Sequence, residues 1–394
     1  MGGRSFHFWI LTGLGALGLI WLILLLLAIK PPRALELQSQ IPAASAAEQT
    51  LTFAWPERGN AAIGMDGAVK AGVSAETARP IASMAKIITA LVILEGKPLG
   101  VGDVGPSIVM TADDVALYDR AVKDGQSNLK VSAGQSITEK QMLEGLLLVS
   151  ANNLADSLAI WAYGSIEDYV TAANNWLREN NLRDTVVADA SGFSSQTVST
   201  ANDMVALAMK ADGHAVLRGI FSAKTAQFPS VGEIKNTNLL LGIDGIYGLK
   251  TGHTDDAGAN LLFASKINVK GEEKNIYGVV MGQADDVLFD VAKVLNRSAQ
   301  ENVDEVVIVP AGTVVGRILS QWGESTQLLT VGDLTIVGWK DEVETSVSLD
   351  IPDPLLPLPS KKVVGKAMTS SDETDIVAEL PIREPSFAWK VLHF

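Results

Sequence analysis

Three short strings stand in one order along a chain of 394 residues: Ser83-Met84-Ala85-Lys86, then Ser150-Ala151-Asn152, then Lys250-Thr251-Gly252-His253. Together they supply a nucleophile beside an amine, a second hydroxyl with an amide, and a cationic strand. That is the equipment for acyl transfer through a serine ester. Each string alone is cheap. Ser-x-x-Lys recurs at Ser127 and Lys130 in a polar, loop-like stretch. Ser and Asn often do no more than end a helix, and a lysine in a turn is common.

If Ser83 opens a helix, Lys86 shares its face at i+3 and the amine reaches the hydroxyl. The helix N-terminus favours negative charge building on the serine oxygen. A lysine is a base only when neutral. Bringing its pKa from about 10.4 to about 7–8 takes roughly 4 kcal/mol of differential interaction. Burial and a second cation can supply that, and Lys250 is the candidate cation. Ser150 can relay a proton to a leaving amine, and Asn152 can hold a substrate amide. Lys250 and Thr251 can bind a carboxylate. Gly252 lets a substrate backbone approach closely, and an edge strand can pair with an extended peptide. His253 offers its backbone N–H rather than a base.

The surrounding pattern predicts elements able to position these groups. Ser83 to Glu95 reads as a helix apolar nearly all round, which belongs in the middle of a domain. Leu51–Trp55 and Ala61–Asp66 read as paired strands. Ser136-Ile137-Thr138-Glu139 fits a capping box opening a helix through Leu148, broken at Ser150–Asn153 and resumed from Leu154 to Trp161. Val170–Asn180, Thr200–Lys210 and Val287–Asn296 are further helices, and Ile276–Met281 is a strand. Ile246–Thr251 and Asn260–Ala264 predict a β-hairpin with a loop longer than a tight turn. From Glu305 onward, short strand-like runs separated by turns predict a small all-β domain: Val306–Val309, Thr313–Ile318, Gln327–Val331, Leu334–Val337, Thr345–Leu349, Val363–Met368 and Ile376–Leu380.

Composition narrows the chemistry. There is no cysteine, which removes disulfides, thiolate metal sites and a cysteine nucleophile. The four histidines are scattered, so a zinc hydrolase is not indicated and no metal is expected. The net charge of −14 and the lack of a basic cluster give nucleic-acid binding no support. From Phe8 to Ile29 there is no charged side chain. As a helix of about 33 Å, that run crosses a hydrocarbon core, and it exceeds the usual signal-peptide apolar region. Residues 1–30 are therefore expected to be an uncleaved, single-pass signal anchor, the alternative being a long cleaved signal peptide, and 31–50 a tether.

These strings resemble those of the serine penicillin-recognising enzymes. Ser83 to Ser150 is 67 positions and Ser150 to Lys250 is 100, similar to the low-molecular-mass D-alanyl-D-alanine carboxypeptidases. Ala257-Gly258-Ala259-Asn260-Leu261 after the third string adds to the likeness. So does Asp189-Ala190-Ser191-Gly192-Phe193 followed by Ser199-Thr200-Ala201-Asn202-Asp203-Met204. The resemblance covers about residues 50–300 well and 305–394 weakly.

By that resemblance, residues 51–300 form an α/β (α+β) transpeptidase/β-lactamase-like catalytic domain, mainly antiparallel sheet flanked by helices, and 305–394 a β-rich second domain. Ser83 attacks the bond between two D-alanines of a peptidoglycan stem peptide, with Lys86 as base and Ser150 passing the proton to the departing D-Ala. Lys250 and Thr251 hold the terminal carboxylate. The backbone N–H groups of Ser83 and His253 form the oxyanion hole, with Gly252 beside them and Asn152 on the substrate amide. Penicillins and other β-lactams would acylate Ser83, and no cofactor is implied. The catalytic domain would lie outside the cytoplasm, held by the N-terminal helix. Many relatives attach instead through a C-terminal amphipathic helix, for which Ser386–Phe394 is short.

Three alternatives share these residues. An endopeptidase would cut D-alanyl cross-links with the same machinery. A class A β-lactamase needs Glu-x-x-Leu-Asn, and the nearest string, Glu179-Asn180-Asn181-Leu182-Arg183, ends in arginine. A non-enzymatic wall-binding protein would make the motif side chains dispensable.

Overall fold

The computed structural model describes residues 35–39, 50–229, 231–341, 347–352 and 356–392, together with Trp21. It divides into two compact units. One comprises Thr50–Asp304 with Gly338–Lys340; the other comprises Glu305–Val337 and Asp341–Phe394 with the N-terminal residues to Gln49. The apolar run Phe8–Ile29, expected to be a membrane span, lies outside the described residues apart from Trp21. Among the described residues no helix is long and apolar enough to cross a membrane.

The first unit is built on a five-stranded antiparallel sheet. Its strands are β1 (Asn60–Met65), β2 (Ala68–Ala71), β3 (Ile246–Thr254), β4 (Gly258–Val269) and β5 (Glu272–Gln283). Their spatial order is β3-β4-β5-β1-β2. The helices are α1 (Ala85–Gly96), α2 (Ala112–Lys123), α3 (Glu139–Leu148), α4 (Asn152–Tyr163), α5 (Ile166–Glu179), α6 (Ala201–Gly213), α7 (Ala215–Phe221) and α8 (Leu288–Glu301).

Alternation along β4 assigns its faces, since successive strand side chains point to opposite sides. Leu262 and Ala264 join the large core that also holds α1 and α6. Ser265, on the other face, bonds Asn296 of α8 at 2.5 Å. The sheet thus lies between α8 and the remaining helices. α1 sits at the centre of that helical side and packs against α3, α4, α5 and α6. Every residue from Ala85 to Leu94 is buried, Lys86 included.

Several elements differ from the sequence reading. Leu51–Trp55 is not a strand; Phe53 instead packs against Trp55 and edge-on against the buried Trp339. The first hairpin is β1 with β2, because Asp66-Gly67 supplies two adjacent positive-φ residues, a tight-turn signal. The capping box exists but lies two residues on. Thr138 Oγ1 accepts from Gln141 N at 3.3 Å and Gln141 Oε1 accepts from Thr138 N at 3.1 Å, while Ser136–Thr138 pairs with Ser107–Val109. The β3–β4 loop is short: pairing runs to Thr254 and Gly258.

The second unit contains a six-stranded antiparallel sheet. Its order is Leu35–Ser39, Val314–Ser320, Ser325–Thr330, Glu373–Ala378, Val363–Met368 and Ser348–Asp350. Val315, Ile318, Leu328, Ala367 and Ile376 form part of its core. Residues 35–39, read as tether, are a strand in register with Gly316–Ser320. Leu35 packs against that core, which a featureless linker could not do. Conversely, Gly338–Lys340 belong with the first unit, where Lys340 N donates to Asn302 O at 2.9 Å.

Candidate active site

Ser83 does not begin the α-helix. It occupies a 3₁₀ turn, Ala82–Met84, that feeds directly into α1. Ala82 takes φ +46°, in the left-handed region that non-glycine residues seldom adopt. Two glycines allow neighbouring backbone to close on this turn. A Cβ at Gly252 of β3 would meet Ile81 O and Ser83 N at 3.0 Å and Met84 N at 3.1 Å. A Cβ at Gly192 would meet Ala82 O at 1.9 Å, and Gly192 itself has φ +76°. The edge strand of the sheet and the turn at Ser191–Phe193 thus press on Ser83 from separate parts of the chain.

Lys86 lies one turn on and is 0% exposed. Its Nζ is 2.9 Å from Ser83 Oγ, 2.6 Å from Asn152 Oδ1 and 2.7 Å from Ser191 O. An ammonium would donate to all three. A neutral amine has two N–H groups for the two amide oxygens and one lone pair for the Ser83 hydroxyl, so the same contacts serve both states. Burial drives the Lys86 pKa well below its ordinary value, and Lys250 lowers it further against the opposing pull of Asp189 and Asp156. Lys250, on β3, is 1% exposed and donates to Thr251 O at 3.0 Å. Burial brings it down to about 7.

The second string occupies the break between α3 and α4. Ser150 has φ +65°, and its Oγ finds no hydrogen-bond partner among the described residues although the residue is only 7% exposed. Asn152 opens α4, its backbone N–H bonded to Ser127 O at 2.7 Å. On β3, Thr251 Oγ1 is 2.8 Å from Thr237 Oγ1, and the half-exposed His253 ring lies 3.5 Å from the Asp285 carboxylate.

Ser83, Ser150, Asn152, Thr251, Gly252 and His253 line one cleft of about 660 Å³. Lys86 lies beneath, joined to two of them, and Lys250 is buried along the same strand as the last three. Six of the eight residues singled out in the sequence therefore line one cleft, and the other two are buried next to residues that line it. The copy at Ser127 and Lys130 is not helical; Ser127 lines the cleft, but Lys130 lies at a separate surface hollow. Glu179, the residue nearest to a β-lactamase general base in sequence, is exposed at the end of α5 and does not line the cleft.

The sequence reading missed several residues. Asp189 lies within a recognisable motif that does not by itself reveal what its carboxylate does. Its carboxylate accepts from Ser191 Oγ at 2.7 Å, Phe193 N at 2.9 Å and Thr197 Oγ1 at 2.6 Å, which fixes the turn whose Ser191 carbonyl holds Lys86. Asp156, one turn beyond Asn152, is raised to about 6 by burial, against Arg120 at 3.2 Å. Gln126 and Thr237 reach the site from loops and carry no local signal.

Gly252→Ala tests the close approach. Three backbone atoms would be met at 3.0–3.1 Å, so strand and turn must part by a few tenths of an ångström. The expected outcome is a folded protein that acylates roughly 10–100-fold more slowly with penicillin, because small misplacements of reacting groups are costly. Wild-type acylation rates in that variant would show that the contact has slack.

Comparison with known proteins gives a consistent result. The family model described as D-alanyl-D-alanine carboxypeptidase, peptidase S11, matches residues 60–285. D-alanyl-D-alanine carboxypeptidase DacA of Escherichia coli K12 is 28% identical over 229 residues, covering 55% of this chain and 54% of the relative. The D-alanyl-D-alanine endopeptidase of the same organism is 29% identical over 204 residues, covering 49% of this chain and 61% of the relative. The chain thus spans about half the length of the first of these relatives. The crystal structure of D-alanyl-D-alanine carboxypeptidase from Mycobacterium tuberculosis H37Rv matches with a TM-score of 0.53 at 26% identity, over 66% of this chain and 96% of that one.

Proposed function

Because the chain belongs to the peptidase S11 family of D-alanyl-D-alanine carboxypeptidases, we propose that it removes the terminal D-Ala from peptidoglycan stem peptides through an ester on Ser83. The observation that carries this reading is a fully buried lysine whose nitrogen lies 2.9 Å from a cleft-lining serine oxygen. Neutral Lys86 takes the Ser83 proton as Oγ attacks the carbonyl of the D-Ala-D-Ala bond. The N–H groups of Ser83 and His253 receive the developing oxyanion, where one donor is typically worth about 2.7–4 kcal/mol. Ser150, whose hydroxyl has no hydrogen-bond partner among the described residues, passes a proton to the departing D-Ala nitrogen. Lys250 and Thr251 hold the terminal carboxylate, and water then cleaves the ester. β-Lactams acylate the same oxygen and leave more slowly.

The fuller reading puts the N-terminal run Phe8–Ile29 across the membrane and the catalytic unit outside the cytoplasm. It rests on 22 residues without a charge. Protease protection in sealed vesicles tests it; a catalytic unit degraded only after the cytoplasmic side is opened would reverse the orientation.

Two titrations of opposite sign follow. Lys86 must be neutral, so kcat/KM climbs as pH rises through its depressed pKa. Lys250 must be charged to hold a carboxylate, so kcat/KM falls above about 7. For a peptide ending in free D-Ala the profile is expected to be bell-shaped, its limbs belonging to the coupled pair. For the same peptide as its amide, the alkaline limb should vanish. Lys250→Ala should weaken the acid peptide at least about tenfold more than the amide, the scale of one charge-assisted contact. Equal loss on both would remove Lys250 from carboxylate binding.

The relative named as an endopeptidase favours one second reading, cleavage of D-alanyl cross-links. Cross-linked dimer peptides decide it: turnover of dimer faster than of monomeric pentapeptide would replace the carboxypeptidase assignment.

A further inference from the structure

A side-chain amide has two ends of nearly the same shape, and at Asn152 only one end suits the catalytic lysine. Oδ1 lies 2.6 Å from Lys86 Nζ. Turned over, the NH₂ end would face that nitrogen. Against an ammonium this sets donor against donor. Against a neutral amine it gives the lone pair an N–H to accept, which consumes the base that Ser83 needs. Something must hold the amide the right way round.

The residue at the other end is Gln126, whose Oε1 accepts from Asn152 Nδ2 at 2.8 Å. Gln126 lies in the loop following α2, half-buried on the cleft wall. That loop is tied to the start of α4 at several points. Gln126 N donates to Ala121 O at 2.8 Å, and Asn128 Nδ2 donates to Gln126 O at 2.8 Å. Asn152 N donates to Ser127 O at 2.7 Å, and the Asn153 amide bonds both the N–H and the carbonyl of Leu129, at 3.0 and 2.9 Å. Gln126 is therefore placed by backbone bonds that do not involve its own side chain.

We propose that Gln126 is a positioning residue that fixes the orientation of the Asn152 amide, so that oxygen faces Lys86 and the lysine lone pair is left for Ser83. This inference deepens the proposed function but stands on Ser83 activation alone, whatever the natural substrate.

The test is the rate at which phenylmethanesulfonyl fluoride modifies Ser83 in the full chain in detergent, read by mass spectrometry across pH. In that reaction Ser83 Oγ bonds sulfur, the S–F bond breaks, fluoride leaves and Lys86 takes the proton. It needs no D-alanyl substrate, so absent D-Ala release would defeat the carboxypeptidase reading without touching this one. Gln126→Leu is expected to slow modification roughly tenfold, the size of one ordinary hydrogen bond. The loss should fall in the rate at saturating pH and leave the melting temperature near wild type. Gln126→Glu, whose carboxylate still accepts from Asn152 Nδ2, should restore most of the rate. Gln126→Leu within twofold of wild type would overturn the proposal. So would a Gln126→Glu protein as slow as Gln126→Leu, because the Gln126 NH₂ group would then be the part that matters. A wild type that is not modified at Ser83 would overturn it together with the assignment of the nucleophile.

Discussion

Replacing Ser83 by alanine is expected to abolish D-Ala release and covalent penicillin labelling together, a loss of at least about 10⁴-fold. Among the described residues no other hydroxyl hydrogen-bonds Lys86. Lys86 has one lone pair when neutral, and its three contacts are Ser83, Asn152 and Ser191. Ser150 Oγ has no partner among the described residues, and Ser127 lies in a loop whose lysine, Lys130, lines another hollow. The fold should not notice the change. Ser83 is only partly buried, and the 3₁₀ turn is held by Gly252 and Gly192 packing on its backbone, so the shift in stability should stay within about 0.5 kcal/mol. Intact-mass analysis after incubation with penicillin reads the result directly. An adduct on the Ser83→Ala protein, mapped to Ser150 or Ser127, would reassign the nucleophile.

How much of this was legible in the chain follows from where each interaction is encoded. α1 was legible because nothing polar interrupts its apolar run except Lys86 and Thr89, and a helix of that kind has to be central. The start of α1 was not. Ser83 and Met84, which look helical, form a 3₁₀ turn with Ala82 instead, where Gly192 and Gly252 close on the backbone from about 110 and 170 positions away. The β3–β4 hairpin was visible from its two apolar runs but drawn too short. Thr254 and Gly258 extend the pairing, and polar residues facing a cleft carry no hydrophobic signal. Leu35–Ser39 read as tether because a five-residue edge strand has little pattern of its own. Its register is set by Gly316–Ser320, far along the chain.

The site divides in the same way. The eight residues of the three strings could be named because each string is local. What holds them could not. Asp189 acts through a turn, Gln126 and Thr237 act from loops, and Asp156 acts through burial beside Arg120; none of these lies within a string that names its partner. Recognition of the Asp189–Phe193 segment was the one usable hint, and it gave a location without a task. Sequence therefore yields the candidate reacting groups, while the groups packed and bonded around them emerge only once the chain has closed on itself.

The tuning is the part most open to measurement, and Lys86→Met exposes it. The substitution keeps the length and removes the amine, so acylation should fall by about 10³-fold, within the usual range for losing a general base. Its effect on stability should change sign with pH. An unfolded lysine keeps its proton up to about 10.4, whereas folded Lys86 releases it well below that. Between the two values the unfolded chain binds more protons, so wild-type stability rises with pH across this window. Below the folded pKa the wild type must bury an ammonium and the methionine variant gains on it. Above about 10.4 the buried charge is gone from the comparison. What remains is the loss of N–H donors to Asn152 Oδ1 and Ser191 O, which should cost the variant about 1–3 kcal/mol. Lys250, brought to about 7 by burial, adds a slope of the same sign that both proteins retain. Urea melts of the two proteins from pH 5 to 10.5 give the difference directly. A constant gap over that range would mean that Lys86 keeps an ordinary pKa in the folded chain, and a lysine that stays charged at neutral pH cannot take the proton from Ser83.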